Sequence, residues 1–192
     1  MVPCVIGDYA EGMAPEYTEI DRMGNSRSSR YGSPVTNWLI HTQEGNGTAE
    51  SLAAYLNNSA NGVSYHYTID NSVTVVDVVD TDYASWSVLS ANSFTINACF
   101  AGSRASWSRK QWLDLMGNGI EVAAYLAVQD ARKYGFSTAV NPPPYWRGPG
   151  ISDHNYVTRE LGIGDHTDVG PNFPWDVFTD HVNRYATGEE GD

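Results

Sequence analysis

The stretch from Arg109 to Tyr134 constrains this chain more than any other. Trp112, Leu115, Val122, Ala123, Leu126 and Val128 recur there near a 3.6-residue spacing, the pattern of a long helix with an apolar face. Gly135 follows as its stop, and Gly117 and Gly119 are expected to break or bend it in its first third. The flanking segments read as strands and shorter helices. Val35–Thr42 carries Trp38, Leu39 and Ile40 in succession, a buried strand ending at His41. In Ala49–Asn58, Leu52, Ala53, Tyr55 and Leu56 stand at helical spacing behind Thr48, an N-cap residue. Val63–Asp70 and Val73–Val79 are β-branched and aromatic runs joined by Asp70, Asn71 and Ser72, which predicts a hairpin, and Phe94–Ala101 predicts another strand. Four prolines and two glycines between Asn141 and Gly150 impose a loop. Strands interleaved with helices place the chain in the α/β class, with a central mixed β-sheet flanked by helices.

A length of 192 residues makes one domain the default. Met1–Pro34, rich in Gly, Ser, Pro and charges, predicts an irregular N-terminal arm. Residues 35–185 hold the domain itself, and residues 186–192, ATGEEGD, predict a disordered acidic tail. No run approaches the ~20 apolar residues of a membrane span. The start, MVPCVIGDYAEG, has no basic stretch leading into a long apolar one, so no signal peptide is expected. Eleven basic against 23 acidic residues give a net charge of −12. Such a surface repels nucleic-acid phosphates and anionic membranes, and its field favours a divalent cation. Cys4 and Cys99 do not make a disulfide framework; Cys99, in the apolar run FTINACFAG, reads as a buried thiol.

The chain has five histidines to weigh for chemistry: His41, His66, His154, His166 and His181. His41 closes a buried strand and opens into the polar segment TQEGNG, and strand ends of this kind hold site residues in α/β proteins. His154 lies in GISDHNY, and His166 and Asp168 stand two apart in DHTDVGPNFPW. Two imidazoles and a carboxylate suit zinc with a fourth position left for water. Zinc takes the pKa of that water from ~15.7 towards ~7, on the order of 12 kcal/mol in proton affinity. Spacing alone does not select which three groups are the ligands. His66 reads as a structural or supporting histidine and His181 as a surface one. Trp86, Trp107 and Trp146 stand in loop-like contexts where an aromatic face can stack on a sugar ring.

The segments WLIHTQEG, SYHYTIDN, TINACFAGS and HTDVGPNFPW resemble the type 2 N-acetylmuramoyl-L-alanine amidase family, from about Val35 to Asp180. That family spans small phage amidases, endolysin catalytic domains, cytosolic muropeptide amidases and peptidoglycan recognition proteins. The resemblance implies a sheet-and-helix fold over residues 35–185 and hydrolysis of the amide joining N-acetylmuramic acid to L-alanine in peptidoglycan. It implies zinc as cofactor, with His41, His154 and Asp168 as metal ligands and Tyr65 and His166 as catalytic residues. Two positions depart from the family. Cys99 stands where the cytosolic branch has an acid/base glutamate, which moves that work to Tyr65, as in the small phage enzymes. Trp86-Ser87 stands where a motif histidine belongs.

With no export signal, the resemblance implies a phage endolysin that waits in the host cytoplasm and acts at the bacterial cell wall during lysis, an antimicrobial activity. It is expected to work as a monomer, as a module of a longer lysin whose separate domain offsets the −12 charge at an anionic wall. The competing reading is a non-catalytic peptidoglycan-binding module. Binding-only relatives have lost the third ligand, and Asp168 is present here.

Overall fold

A computed structural model describes residues 14–188. Its most deeply buried strands include β3 (Asn37–Thr42), in which all six residues are buried. A strand covered on both faces reads as a continuous apolar run, and Trp38-Leu39-Ile40 is such a run. Parallel to it on one side lies β7 (Thr95–Phe100), with His41 in register with Cys99, and on the other β8 (Gly150–Asp153), with Ile40 in register with Asp153. β4 (Tyr67–Ile69) adds to β7 in parallel and turns back through the expected hairpin into antiparallel β5 (Thr74–Asp77). The hairpin strands are shorter than the sequence runs that announce them. β1 (Thr18–Asp21) pairs parallel with β5 at the edge, completing a mixed six-stranded sheet in the order β1-β5-β4-β7-β3-β8.

Side chains alternate across this sheet. Trp38, Ile40, Ile96, Ala98 and Phe100 point to the face covered by α2 (Arg109–Tyr134) and α4 (Trp175–Thr187). On the opposite face, Cys99 and Ala101 pack with α1 (Ala49–Leu56), and Leu39 packs with Tyr156 and Val157 of α3 (His154–Arg159). α2 has the bounds its periodicity predicts, with a Ser108–Gln111 capping box and Gly135 in the left-handed C-cap at φ 73°. It does not break at Gly117 or Gly119. A Cβ at position 119 would lie 3.2 Å from the Asp70 carbonyl and 2.6 Å from Met116 Sδ, so this glycine lets the helix approach the β4–β5 turn closely.

The N-terminal segment also departs from the sequence expectation of an irregular arm. Besides β1, residues Arg27–Ser28 form β2, antiparallel to β6 (Ala84–Ser85). Arg30 follows it into the interior, where its guanidinium donates to the carbonyls of Thr81, Ser93 and Thr95 at 2.9–3.1 Å. These tertiary partners order a segment whose own sequence has little periodicity. At the other end α4 runs to Thr187 and closes on Gly188, so the first residues assigned to the acidic tail are helical; residues 189–192 lie outside the described residues, as do Cys4 and the first part of the arm. No helix among the described residues is long and apolar enough to cross a membrane.

One buried acid under the sheet makes a test of this packing. Asp130 of α2 is 5% exposed and accepts from Trp38 Nε1 at 3.0 Å and from the Tyr67 hydroxyl at 3.3 Å. Burial pushes its carboxyl up to about 6, against the opposing pull of those two donors. An exposed aspartate titrates near ~3.9. The folded protein therefore holds this proton more tightly than the unfolded chain, and the group's contribution to stability falls as pH rises from about 4 through about 6, by on the order of 3 kcal/mol. Asp130→Asn is expected to match the wild type in thermal unfolding near pH 4 and to melt several degrees above it at pH 8. Equal melting at both pH values would contradict the burial argument.

Candidate active site

Three chain segments converge at the C-terminal ends of the central parallel strands, where open α/β sheets gather ligands. β3 presents His41 on the face away from α2. β8 runs alongside it and ends at Asp153, so the next residue, His154, opens α3 beside His41. Asp153 does two jobs at this junction. Its carboxylate caps α3 by accepting from Tyr156 N at 3.0 Å, and it also accepts from Val169 N at 3.3 Å and from the Tyr145 hydroxyl at 3.1 Å. With Asn155 N donating to the Asp168 carbonyl at 2.9 Å, the distant DHTDVG loop is tied against the start of α3.

The result is a tight triangle. His41 Nδ1 and His154 Nδ1 are 3.1 Å apart, His41 Nδ1 and Asp168 Oδ2 are 3.3 Å apart, and His154 Nδ1 and Asp168 Oδ1 are 3.4 Å apart. A tetrahedral ion bound at about 2.0–2.2 Å sets its ligands roughly 3.3–3.6 Å from one another. The two imidazole nitrogens face each other and can share at most one proton, so a cation between them relieves the repulsion of their lone pairs. Among the described residues this is the one group of three His, Cys, Asp or Glu side chains close enough to hold a metal. His41 is fully buried and His154 is 6% exposed. Burial opposes ionisation of Asp168, but the contacts with His154 and His41 outweigh it and hold the carboxyl well below the usual range. Burial also lowers His154, with Asp168 pulling the other way. The triangle is thus made of a carboxylate and a readily neutral imidazole alongside His41, the protonation states that ligands need.

A cleft of about 620 Å³ opens over the triangle, lined by Thr42, Gln43, Glu44, Tyr65, Ala105, Ser106 and residues 165–168. Tyr65 packs its ring 4.8 Å from that of His41. Burial, with Cys99 and Asp168 adding to it, pushes its hydroxyl well above the usual range, so it remains a phenol that can donate. His166 stacks flat on His154, centroids 4.4 Å apart and planes 5° apart, with its side chain 64% exposed to the cleft. The structure therefore brings His41, His154, Asp168, Tyr65 and His166 to one place.

The remaining candidates fall elsewhere. His66 is buried outside the triangle, its Nδ1 accepting from Asn97 N at 2.9 Å, and burial pushes it down to about 3, so it stays neutral. His181 is half-buried against Arg184 rather than free on the surface. Trp107 is not a sugar-stacking platform: it is buried edge-on against Trp112, 5.1 Å between centroids, in the main core. Trp86 is half-buried and donates to Ser28 Oγ, while Trp146 is 44% exposed. Cys99 is a free buried thiol, as its apolar run predicts. Two residues escape the sequence reading. Glu44 lines the cleft, its carboxylate held by Thr42 Oγ1 at 2.8 Å and Ala105 N at 2.6 Å. Asn97 Oδ1 lies 2.9 Å from His41 Nε2; an amide in the apolar run TINACF, in phase with Cys99, was its one signal.

A family model described as N-acetylmuramoyl-L-alanine amidase matches residues 31–171. No curated protein matches the sequence. Among solved structures, the fold is similar to the Staphylococcus aureus hydrolase AmiA in complex with its ligand, with a TM-score of 0.71 at 18% identity over 90% of this chain and 84% of that one. It is also similar to a mutant endolysin from Bacillus subtilis, with a TM-score of 0.60 at 17% identity over 87% and 99%. The amidase LysC from Clostridium intestinale URNW gives 0.61 at 14% identity over 88% and 99%. At these identities the likeness is one of fold.

A metal held by the triangle stabilises the folded state by mass action. Zinc at about 1,000 times its Kd contributes roughly 4 kcal/mol, which for a chain of this length raises Tm by about 8–16 °C. Thermal unfolding of Asp168→Ala is expected to lose most of that rise; an equal rise in both proteins would place the metal elsewhere.

Proposed function

The chain belongs to the N-acetylmuramoyl-L-alanine amidase family, and on that premise we propose that it is a zinc-dependent hydrolase of the amide between N-acetylmuramic acid and L-alanine in peptidoglycan. The observation that carries the reading is the spacing of 3.1–3.4 Å among His41 Nδ1, His154 Nδ1 and the Asp168 carboxylate beneath an open cleft. Zinc, when bound there, supplies a Lewis acid that makes hydroxide available from water near neutral pH.

The chain's own residues do the rest. Asp168 is tethered through its main-chain carbonyl to Asn155 N, and Thr42 N donates to its Oδ2 at 3.4 Å, so the carboxylate does not swing away from the histidines. Tyr65, kept as a phenol by burial, donates to the oxygen that gains charge as the carbonyl carbon becomes tetrahedral. Preorganised donors of this kind contribute roughly 3–4 kcal/mol. His166, on the open rim and stacked on His154, is placed to hold a proton for the departing alanine nitrogen, which is too basic to leave as an anion. Cys99, buried with its thiol pushed well above the usual range by that burial, takes no part as a base. On this reading the chain acts as a monomeric catalytic module of a phage endolysin, and its fold is similar to that of an endolysin from Bacillus subtilis.

The test is release of dye from labelled cell walls. New alanine N-termini are expected to appear without new reducing sugar ends, to vanish with a chelator and to return with zinc. Alanine at His41, His154 or Asp168 is expected to abolish release, and Tyr65→Phe to lower kcat by about 10²–10³-fold. Wall binding with no release from the zinc-loaded protein would identify a binding module instead.

A further inference from the structure

We propose that Asn97 is a positioning residue that fixes His41 in the tautomer carrying its proton on Nε2, leaving the Nδ1 lone pair for the metal. The inference rests on the zinc reading above, but its argument is a count of hydrogens in a buried network. A side-chain amide can face a histidine with either its oxygen or its nitrogen, and only the surrounding bonds decide which. Here they decide it at both ends.

Thr95 Oγ1 has one hydrogen and gives it to the Ala91 carbonyl at 3.0 Å. Towards Asn97 it can therefore only accept, and Asn97 Nδ2 lies 3.0 Å from it. Ser87 Oγ gives its hydrogen to the Ser64 carbonyl at 2.5 Å, so in its 2.7 Å contact with Ser85 the hydrogen comes from Ser85. Ser85 Oγ then accepts from Asn97 Nδ2 at 3.1 Å. Both amide hydrogens are committed, each chain ending on a main-chain carbonyl. What remains to face His41 Nε2 at 2.9 Å is Oδ1, which only accepts. The imidazole must donate there.

A neutral imidazole has one N–H, so Nδ1 is left bare, and Nδ1 is the atom in the triangle with His154 and Asp168. Asn97, Ser85 and Thr95 are fully buried, so no water can take over a missing partner. The main chain of Asn97 is itself pinned, its N–H donating to His66 Nδ1 at 2.9 Å. This gives His66 and the β6 segment a part in the site without any contact with the metal ligands' donor atoms. Hydrogen bonding of a ligating histidine's second nitrogen raises its basicity and fixes its ring.

Zinc affinity, measured by competition with a chromogenic chelator, is the first readout. Asn97→Leu is expected to bind roughly 10–100-fold more weakly, while Asn97→Asp, which keeps an accepting oxygen towards Nε2 and whose other oxygen accepts once the Ser85 and Thr95 hydroxyls turn to it, stays within about threefold of wild type. The second readout is a long-range proton–nitrogen NMR spectrum of the metal-free wild type, in which His41 is expected to show a protonated Nε2 and a bare Nδ1. Unchanged affinity in Asn97→Leu, equal loss in both variants, or a neutral His41 with its proton on Nδ1 rather than Nε2 would overturn the proposal. The spectrum decides it even where Asn97→Leu does not fold. A wild type that takes up no zinc yet shows the expected tautomer would sink the zinc reading alone.

Discussion

Two imidazole nitrogens and a carboxylate, largely buried and held 3.1–3.4 Å apart, need a proton or a cation among them to offset the repulsion of their lone pairs. Groups of this kind are costly to bury, and each must be held in place by something other than mutual attraction. The surrounding structure supplies those holds. Asp153 caps α3 and grips Val169, keeping the Asp168 loop against His154. Asn97 grips the far nitrogen of His41. Tyr65 packs against the His41 ring and walls the cleft.

The sheet places His41 and Asn97 by alternation. In β3 and β7 one set of side chains, Trp38, Ile40, Ile96, Ala98 and Phe100, joins the large core under α2 and α4. The alternate set, Leu39, His41, Asn97 and Cys99, turns to the other face, where apolar packing gives way to polar chemistry as the strands approach their C-terminal ends. A one-residue slip of register would exchange the two sets and place His41 in the apolar core. Apolar burial beneath α2 thus guards the register on which the polar site depends.

What the sequence made legible was local. The bounds of α2, the β3 run, the Thr48 cap and the β4–β5 turn all rest on patterns within a few residues, and the structure reproduces them. β1 was hidden because TEID is a polar edge strand whose existence depends on pairing with β5 and on the anchoring of the segment that follows by Arg30. Trp107 looked like a loop aromatic because its partner, Trp112, belongs to the same core but not to its own element. Which side chains come together could not be chosen among five histidines from spacing, since His41 and His154 meet only through the register of β3 and β8, and Asp168 only through Asp153 and Asn155. Resemblance supplied the choice that periodicity could not. Asn97 had no comparable marker, because an amide in a strand reveals its role only when its partners are in view.

The central claim is that His41, His154 and Asp168 jointly grip one cation. X-ray absorption at the zinc edge of the loaded protein tests it most directly. The account predicts one zinc per chain with two imidazole nitrogens at about 2.0–2.1 Å and carboxylate oxygen at about 2.0–2.2 Å, a pattern reduced to one imidazole in His154→Ala. No bound zinc in excess metal, or a spectrum that His154→Ala leaves unchanged, would contradict it.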